Sequence, residues 1–205
     1  MKLVNDAWKG RRCFIVGGGP SLKDFNWDLL KNELWIGINA VWLHAVPTIS
    51  YTHDKRVIEL FYKEHKNAWK NLPCRVHKHL NQLTGQKDKF GEILTFQGCK
   101  VWSKSLEQGL FNGNNSGVTA LNLAEILGAN PIYLLGFDMK SKDGATQFHN
   151  HYPAGWKQPD TVYKNFKTAF SRNRCFLKSE VINLGPDSDL DCFPKKTIEE
   201  VLKFE

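Results

Sequence analysis

Short apolar runs that end on small or polar residues recur along the chain. Residues 12–16 (Arg-Cys-Phe-Ile-Val) read as a buried strand that stops at Gly17-Gly18-Gly19-Pro20. Residues 34–39 repeat that form and end on Asn39; residues 48–52 lead into His53 and Asp54. Residues 131–135 make another strand, closed by Gly136-Phe137-Asp138, and residues 180–184 a last one. Residues 75–79 and 92–96 carry a weaker strand pattern. Runs this short, apolar on successive positions, fit strands covered on both faces. Helical patterns separate them. Ser21 is placed to cap a short helix over 26–31. Asp54 caps an amphipathic helix running to about residue 69, with Val57, Leu60 and Phe61 on one face. A helix begins at Ser116 or Gly117 and stops at Gly128; others span 161–172 and 197–203. The alternation predicts an α/β fold with a mostly parallel sheet and helices on both faces. Without repeats or a low-complexity linker, residues 1–205 are expected to form one domain, with a polar lid loop at about 140–158.

In parallel sheets of this kind, ligands sit beyond the carboxyl ends of the strands. Gly17, Gly18 and Gly19 lie at such an end. Successive glycines let backbone amides approach an anion, and a helix starting after them adds a favourable dipole. The turn with Pro20 and Ser21 is therefore expected to hold a phosphate-bearing ligand, most simply a nucleotide. It is neither GxGxxG, since Leu22 stands three beyond Gly19, nor a P-loop, since no Gly-Lys-Ser/Thr follows. The plain alternative is a tight turn with no ligand. Asn39 is a short polar residue ending an apolar strand. Asn114, Asn115, Ser116 and Gly117 bring side-chain oxygens and amides to a positive helix end. Ser116 could equally cap that helix, and Asn39 could simply turn the chain.

Composition narrows the classes of function. Hydrophobic residues make up 41% and charged residues 24%, as in ordinary globular proteins. No apolar run approaches the roughly 20 residues of a membrane span. The first residues lack the apolar core of a signal peptide, so a cytoplasmic location is expected. Five cysteines, with no CxxC pair, read as reduced and mostly buried thiols. The net charge of +7 favours polyanionic partners, unless it serves solubility alone. The lysines are spread along the chain, and a dense nucleic-acid tract is missing.

The ordered set of motifs is more specific than any one of them. Residues 16–22 (Val-Gly-Gly-Gly-Pro-Ser-Leu), Gly37-Ile38-Asn39, Asp54, residues 113–120 (Gly-Asn-Asn-Ser-Gly-Val-Thr-Ala) and residues 132–138 (Ile-Tyr-Leu-Leu-Gly-Phe-Asp) follow one another. Together they resemble the 6-hydroxymethylpterin diphosphokinase MptE-like family. They are also similar to the bacterial CMP-sialic-acid-dependent sialyltransferases, which share its Rossmann-like core. The resemblance implies that Gly17–Gly19 meet the nucleotide phosphate and that Asn39 bonds the nucleotide or transferred group. It also implies that Ser116 and Gly117 contact the sugar-phosphate, and that Gly136 and Asp138 border base and ribose.

The polar loop carries Gln147-Phe-His149-Asn-His151-Tyr152. In the sialyltransferases a histidine in the comparable segment is the general base and tyrosines contact phosphate. That resemblance makes His149, His151 and Tyr152 the candidate catalytic residues. An imidazole near neutrality can take a proton from an acceptor hydroxyl, and Tyr152 and Lys157 could stabilise a departing phosphate. His149 and His151 could instead hold a metal with Asp138 or Asp143, or serve no function. His53 and Asp54 form a second acid/base or ribose-binding candidate beside the capping role of Asp54. Three functions follow. The favoured one is a metal-independent glycosyltransferase with a nucleotide-sugar donor and an unidentified acceptor, acidic or nucleic acid if the charge speaks for it. The second is a diphosphokinase moving pyrophosphate from ATP to a pterin-type alcohol; it alone calls for Mg²⁺, near Asp54 and Asp138. The third is a non-catalytic nucleotide-binding module. Only residues 97–112 and 140–158 remain for acceptor selection, a task that a homo-oligomer could share.

Overall fold

A computed structural model describes residues 3–79, 94–156 and 159–202. Among them, eight strands form one sheet: β1 (Cys13–Val16), β2 (Trp35–Ile38), β3 (Ile49–Thr52), β4 (Arg75–His79), β5 (Leu94–Cys99), β6 (Leu110–Phe111), β7 (Ile132–Leu135) and β8 (Val181–Asn183). Their order is β6-β5-β4-β3-β2-β1-β7-β8, and every pairing is parallel. β1 is internal: Phe14 stands beside Trp35 of β2 on one side and Tyr133 of β7 on the other. The expected strand at 92–96 is met by β5, with residues 92 and 93 outside the described part.

The chain winds outward from β1 to β6, then returns to the far side of β1. Right-handed crossovers send these two halves across opposite faces. Successive residues of β1 show this directly. Cys13 and Ile15 pack with Val118, Leu121 and Phe170, whereas Phe14 and Val16 pack with Leu22, Leu30, Val41 and Ile198. The helices are α1 (Lys55–Glu64), α2 (Lys66–Lys70), α3 (Ser116–Ile126), α4 (Thr161–Asn173) and α5 (Ile198–Leu202). α3 is buried almost all round, which explains its nearly continuous apolar sequence. Its buried Asn122 accepts the Phe111 N–H and donates to the Ser103 carbonyl, both at 2.9 Å. That side chain fixes β6, a two-residue strand too short to leave a period in the sequence.

Three local expectations change. Residues 26–31 hold only a 3-10 turn, Trp27–Leu30, capped by Asn26. Ser21 caps no helix; it lies inside the 3-10 turn Pro20–Leu22. The helix after Asp54 breaks at His65 into α1 and α2, and Trp69 packs edge-on against Trp42 with ring centroids 5.4 Å apart. All five cysteines are free, but only Cys13 and Cys74 are buried. Among the described residues, no helix is long and apolar enough to cross a membrane.

Phe170 of α4 is fully buried and lies edge-on to both Phe137 and Phe193. Phe170→Ala should cost about 3–5 kcal/mol. Urea unfolding should show a lower midpoint with an unchanged slope.

Candidate functional site

The direction of winding reverses between β1 and β7, and a crevice opens beyond their carboxyl ends. The glycine turn and the segment Gly136-Phe137-Asp138 form its floor. They are locked together. The Gly17 N–H donates to the Leu135 carbonyl at 2.8 Å, and the Gly19 N–H to the Gly136 carbonyl at 2.9 Å. Asp138 Oδ2 accepts the Ser21 N–H at 3.1 Å and the Ser21 hydroxyl at 3.0 Å. A Cβ on Gly17 would stand 2.7 Å from the Gly136 carbonyl oxygen, and one on Gly19 would collide with Asp138 Oδ2. Glycine is required here so that two strand ends can touch.

This changes the expected phosphate cradle. The amides of Gly17, Gly19 and Ser21 are engaged within the protein, Pro20 has none, and Leu22 N–H bonds the Gly19 carbonyl. Among the described residues, the Gly18 N–H has no partner. The three-residue 3-10 turn that follows supplies no helix dipole. A second source of donors faces the crevice from α3. Asn115, rather than Ser116, caps that helix, its Oδ1 accepting the Val118 N–H at 2.9 Å. The N–H groups of Ser116 and Gly117 lie before the reach of the helix ladder, and both residues line the crevice. A Cβ on Gly117 would lie 2.5 Å from the Phe137 ring. The Ser116 hydroxyl lies 3.4 Å from His53 Nδ1.

The walls come from the tips of β2 and β3. Asn39 has φ +56°, and its Oδ1 accepts the Thr52 hydroxyl at 2.8 Å. Asn114 and Met139, at φ +60° and +54°, also line the crevice. Three left-handed non-glycine residues around one cavity is the kind of stored strain that clusters at functional sites. Asp54 caps α1 through the Arg56 N–H and binds the Arg56 guanidinium in two contacts, the shorter 2.7 Å. Partial burial alone would raise the Asp54 pKa, but the Arg56 hydrogen bonds and charge outweigh it and hold it low. Arg56 in turn lies over the Trp156 ring, 5.1 Å from its centroid.

The polar loop folds back over this crevice. The Phe148 N–H donates to the Gly18 carbonyl at 3.0 Å. Tyr152 stacks on Phe61 of α1 with ring centroids 6.3 Å apart. His149 meets Tyr152 edge-on at 5.0 Å, and both line the crevice. His151 does not; it lines a neighbouring groove, with Nε2 3.0 Å from His44 Nε2. Burial, then the neighbouring His151 and His44, push His149 down to about 3. Its Nδ1 accepts the His151 backbone N–H at 3.3 Å, so the neutral ring carries its own proton on Nε2. Burial raises the Tyr152 phenol, against a smaller opposing pull from the Ala40 backbone. Lys157 lies outside the described residues.

The resulting cavity measures about 430 Å³, within the range of small-molecule sites. It gathers Gly17, Gly18, Gly19, Pro20, Asn39, Asp54, Asn115, Ser116, Gly117, Gly136, Asp138, His149 and Tyr152. Ser21 and His151 lie outside it. Sequence reasoning missed Arg56 and His44. Arg56 had the signal of a cation two residues after a capping aspartate; His44 had none. Among the described residues no three His, Cys, Asp or Glu side chains converge as a metal site.

Neither a family model nor a curated protein matches this sequence. Solved structures do match its fold. The MAf glycosyltransferase from Magnetospirillum magneticum AMB-1 aligns with a TM-score of 0.61 and 16% identity, over 95% of this chain and 35% of that one. The sialyltransferase CstII from Campylobacter jejuni, in complex with the substrate analogue cytidine-5'-monophosphate, aligns with a TM-score of 0.59 and 19% identity, over 91% and 85%. A structure of the sialyltransferase CST-II with trisaccharide acceptor and CMP gives 0.55 and 18%, over 90% and 85%. These neighbours are glycosyltransferases. The chain spans about a third of the length of the MAf protein. At such identities the likeness establishes a shared fold. The sialyltransferase side of the sequence resemblance is met in that fold; the MptE-like side has no counterpart among these structures.

Two outcomes follow for this site. Gly19→Ala should destabilise the protein by about 1–3 kcal/mol, measured by urea unfolding, because its methyl group must displace Asp138. The second concerns pH. His149, His44 and His151 all have lowered pKa values, each chiefly through burial. The unfolded chain, with imidazoles near about 6.5, therefore binds protons that the fold refuses. Stability should fall as pH drops through about 6.5, and for His149 keep falling toward about 3. His149→Gln should flatten the decline in Tm between about pH 7 and pH 5. An unchanged slope would show that His149 is not held neutral.

Proposed function

We propose that the chain is a glycosyltransferase that takes a nucleotide-sugar donor in the β1–β7 crevice and acts without a metal ion. The observation that carries this reading is the convergence at one topological switch point of unclaimed amides and a neutral imidazole. The Gly18, Ser116 and Gly117 amides suit the donor phosphates. Tyr152, kept as a neutral phenol, can donate to the departing phosphate. His149 is free to accept a proton at its Nδ1 when an acceptor hydroxyl displaces the His151 N–H. A phosphate bound beside it would raise its pKa toward the range where a base works best. The glycosyltransferase neighbours, two of them in complexes with CMP, agree with this assignment.

The diphosphokinase reading fits less well. It needs carboxylates free to hold Mg²⁺ beside the phosphates. Asp54 is engaged by Arg56 and Asp138 by Ser21, so neither residue fits that task as placed. A non-catalytic nucleotide-binding module would use the same amides and leave His149 without work.

A thermal-shift panel of CMP, UDP, GDP, ATP and their sugar conjugates tests the base of the proposal. A ligand at a hundred times its Kd should add about 2.7 kcal/mol, a rise of several degrees in Tm. If none raises it, the nucleotide reading fails. With the donor so identified, His149→Gln should lower kcat by about 10²–10⁴ while leaving nucleotide affinity unchanged. Full transfer activity in EDTA is expected; its loss would favour the kinase.

A further inference from the structure

His44 and His151 are 107 residues apart in sequence, yet their rings meet in the groove beside the crevice. His44 follows the 3-10 turn Asn39–Leu43 at the tip of β2, and its N–H bonds the Val41 carbonyl at 3.0 Å. His151 belongs to the polar loop after β7. The two Nε2 atoms face each other at 3.0 Å. Other rings hold each imidazole in place. His44 stacks on Trp27, with centroids 5.8 Å apart at 25°, and meets Phe148 at 4.7 Å. His151 stacks on His149 at 5.1 Å and 29°. His44 is exposed and His151 half-buried, so solvent ions reach the pair.

The separation is that of two ligands on one ion. Nitrogens about 2.0–2.1 Å from a metal, at an angle between about 90° and tetrahedral, stand about 2.8–3.4 Å apart. An N–H···N hydrogen bond of similar length requires opposite tautomers in the two rings. At an open surface water offers each ring the same bonds, so such a pair gains little. We propose that His44 and His151 bind one divalent transition-metal ion, of the Zn²⁺ or Cu²⁺ class, and that the ion clamps the polar loop to the tip of β2. Imidazole nitrogen suits these ions, whereas Mg²⁺ and Ca²⁺ prefer oxygen. Both rings bind through Nε2 and keep their protons on Nδ1. His149 is not a ligand, because its Nδ1 accepts the His151 N–H; through that bond the clamp also steadies His149. Among the described residues no third His, Cys, Asp or Glu joins the pair, so solvent completes the shell and the ion exchanges freely. A clip closing so long a loop stabilises the fold. It slows opening of the crevice and takes no part in transfer, so the inference does not rest on the glycosyltransferase reading.

Titration calorimetry on the metal-free full chain, with ZnCl₂, CuCl₂ and MgCl₂, tests the site. One Zn²⁺ or one Cu²⁺ should bind per chain, Cu²⁺ more tightly, and Mg²⁺ should not bind there. Zn²⁺ should also raise Tm. His44→Gln and His151→Gln should each abolish saturable Zn²⁺ binding and the rise in Tm, while His65→Gln keeps both. Electron paramagnetic resonance of the Cu²⁺-loaded parent should show two imidazole nitrogens, a result that needs no variant to fold. Hydrogen exchange of the amides at 147–152 should slow with Zn²⁺ and not with Mg²⁺. The proposal is overturned if Zn²⁺ shows no single saturable site, if either glutamine variant, folded by circular dichroism, binds like the parent, or if His65→Gln removes the site. Binding with unchanged exchange overturns the clamp. Nucleotide binding without a Zn²⁺ site sinks this inference alone, and a Zn²⁺ site without nucleotide binding sinks the transferase reading alone.

Discussion

The structure depends on one close approach. β1 and β7 end side by side, and their ends touch through backbone alone: Gly17 and Gly19 donate to Leu135 and Gly136. No side chain fits between them. The contact closes the sheet at the point where its winding reverses, and it brings Asp138 within reach of Ser21. Every residue of the crevice is positioned relative to that seam. The helix α3 fills one face beneath it, and the polar loop is tied over it through Gly18 and Phe148.

Three ionisable groups around the crevice are each held in one state. Asp54 is kept ionised by Arg56, His149 is kept neutral by burial, and the Tyr152 phenol is kept protonated. The crevice thus offers fixed dipoles and neutral hydrogen-bonding groups more than free charges. Such an environment needs little reorganisation when an anion enters or forms. Its walls are fixed at a cost of about 1–3 kcal/mol for each left-handed residue, and Asn39, Asn114 and Met139 all adopt that backbone.

Much of this was legible in the sequence because buried strands leave dense apolar runs. Residues 12–16, 34–39, 48–52, 131–135 and 180–184 each announced a strand, and their polar ends announced one edge of a parallel sheet. The glycine turn was legible as a special backbone, but not the partner of its amides. Those of Gly17 and Gly19 bond Leu135 and Gly136, more than a hundred residues away, which no local pattern reveals. Ser21 was read as a cap because serine commonly is one; its bond to Asp138 is equally non-local. His44 and His151 meet across the fold, so neither position signals the other. The two-residue β6 escaped for a different reason: Asn122, a polar residue in an apolar helix, holds it in place.

The pairing of Cys13 with Ile132 has a consequence for how the molecule is made. Strands β1 to β6 add one beside the next, each contact nearer in sequence than the seam. β7 must then find the exposed side of a strand laid down at the start. Loop-closure entropy makes such a pairing slow relative to the local ones. Until it forms, the glycine turn has no opposing strand end and α3 has no completed sheet to cover. The crevice therefore belongs to neither half of the chain: it exists only where strand ends more than a hundred residues apart have met.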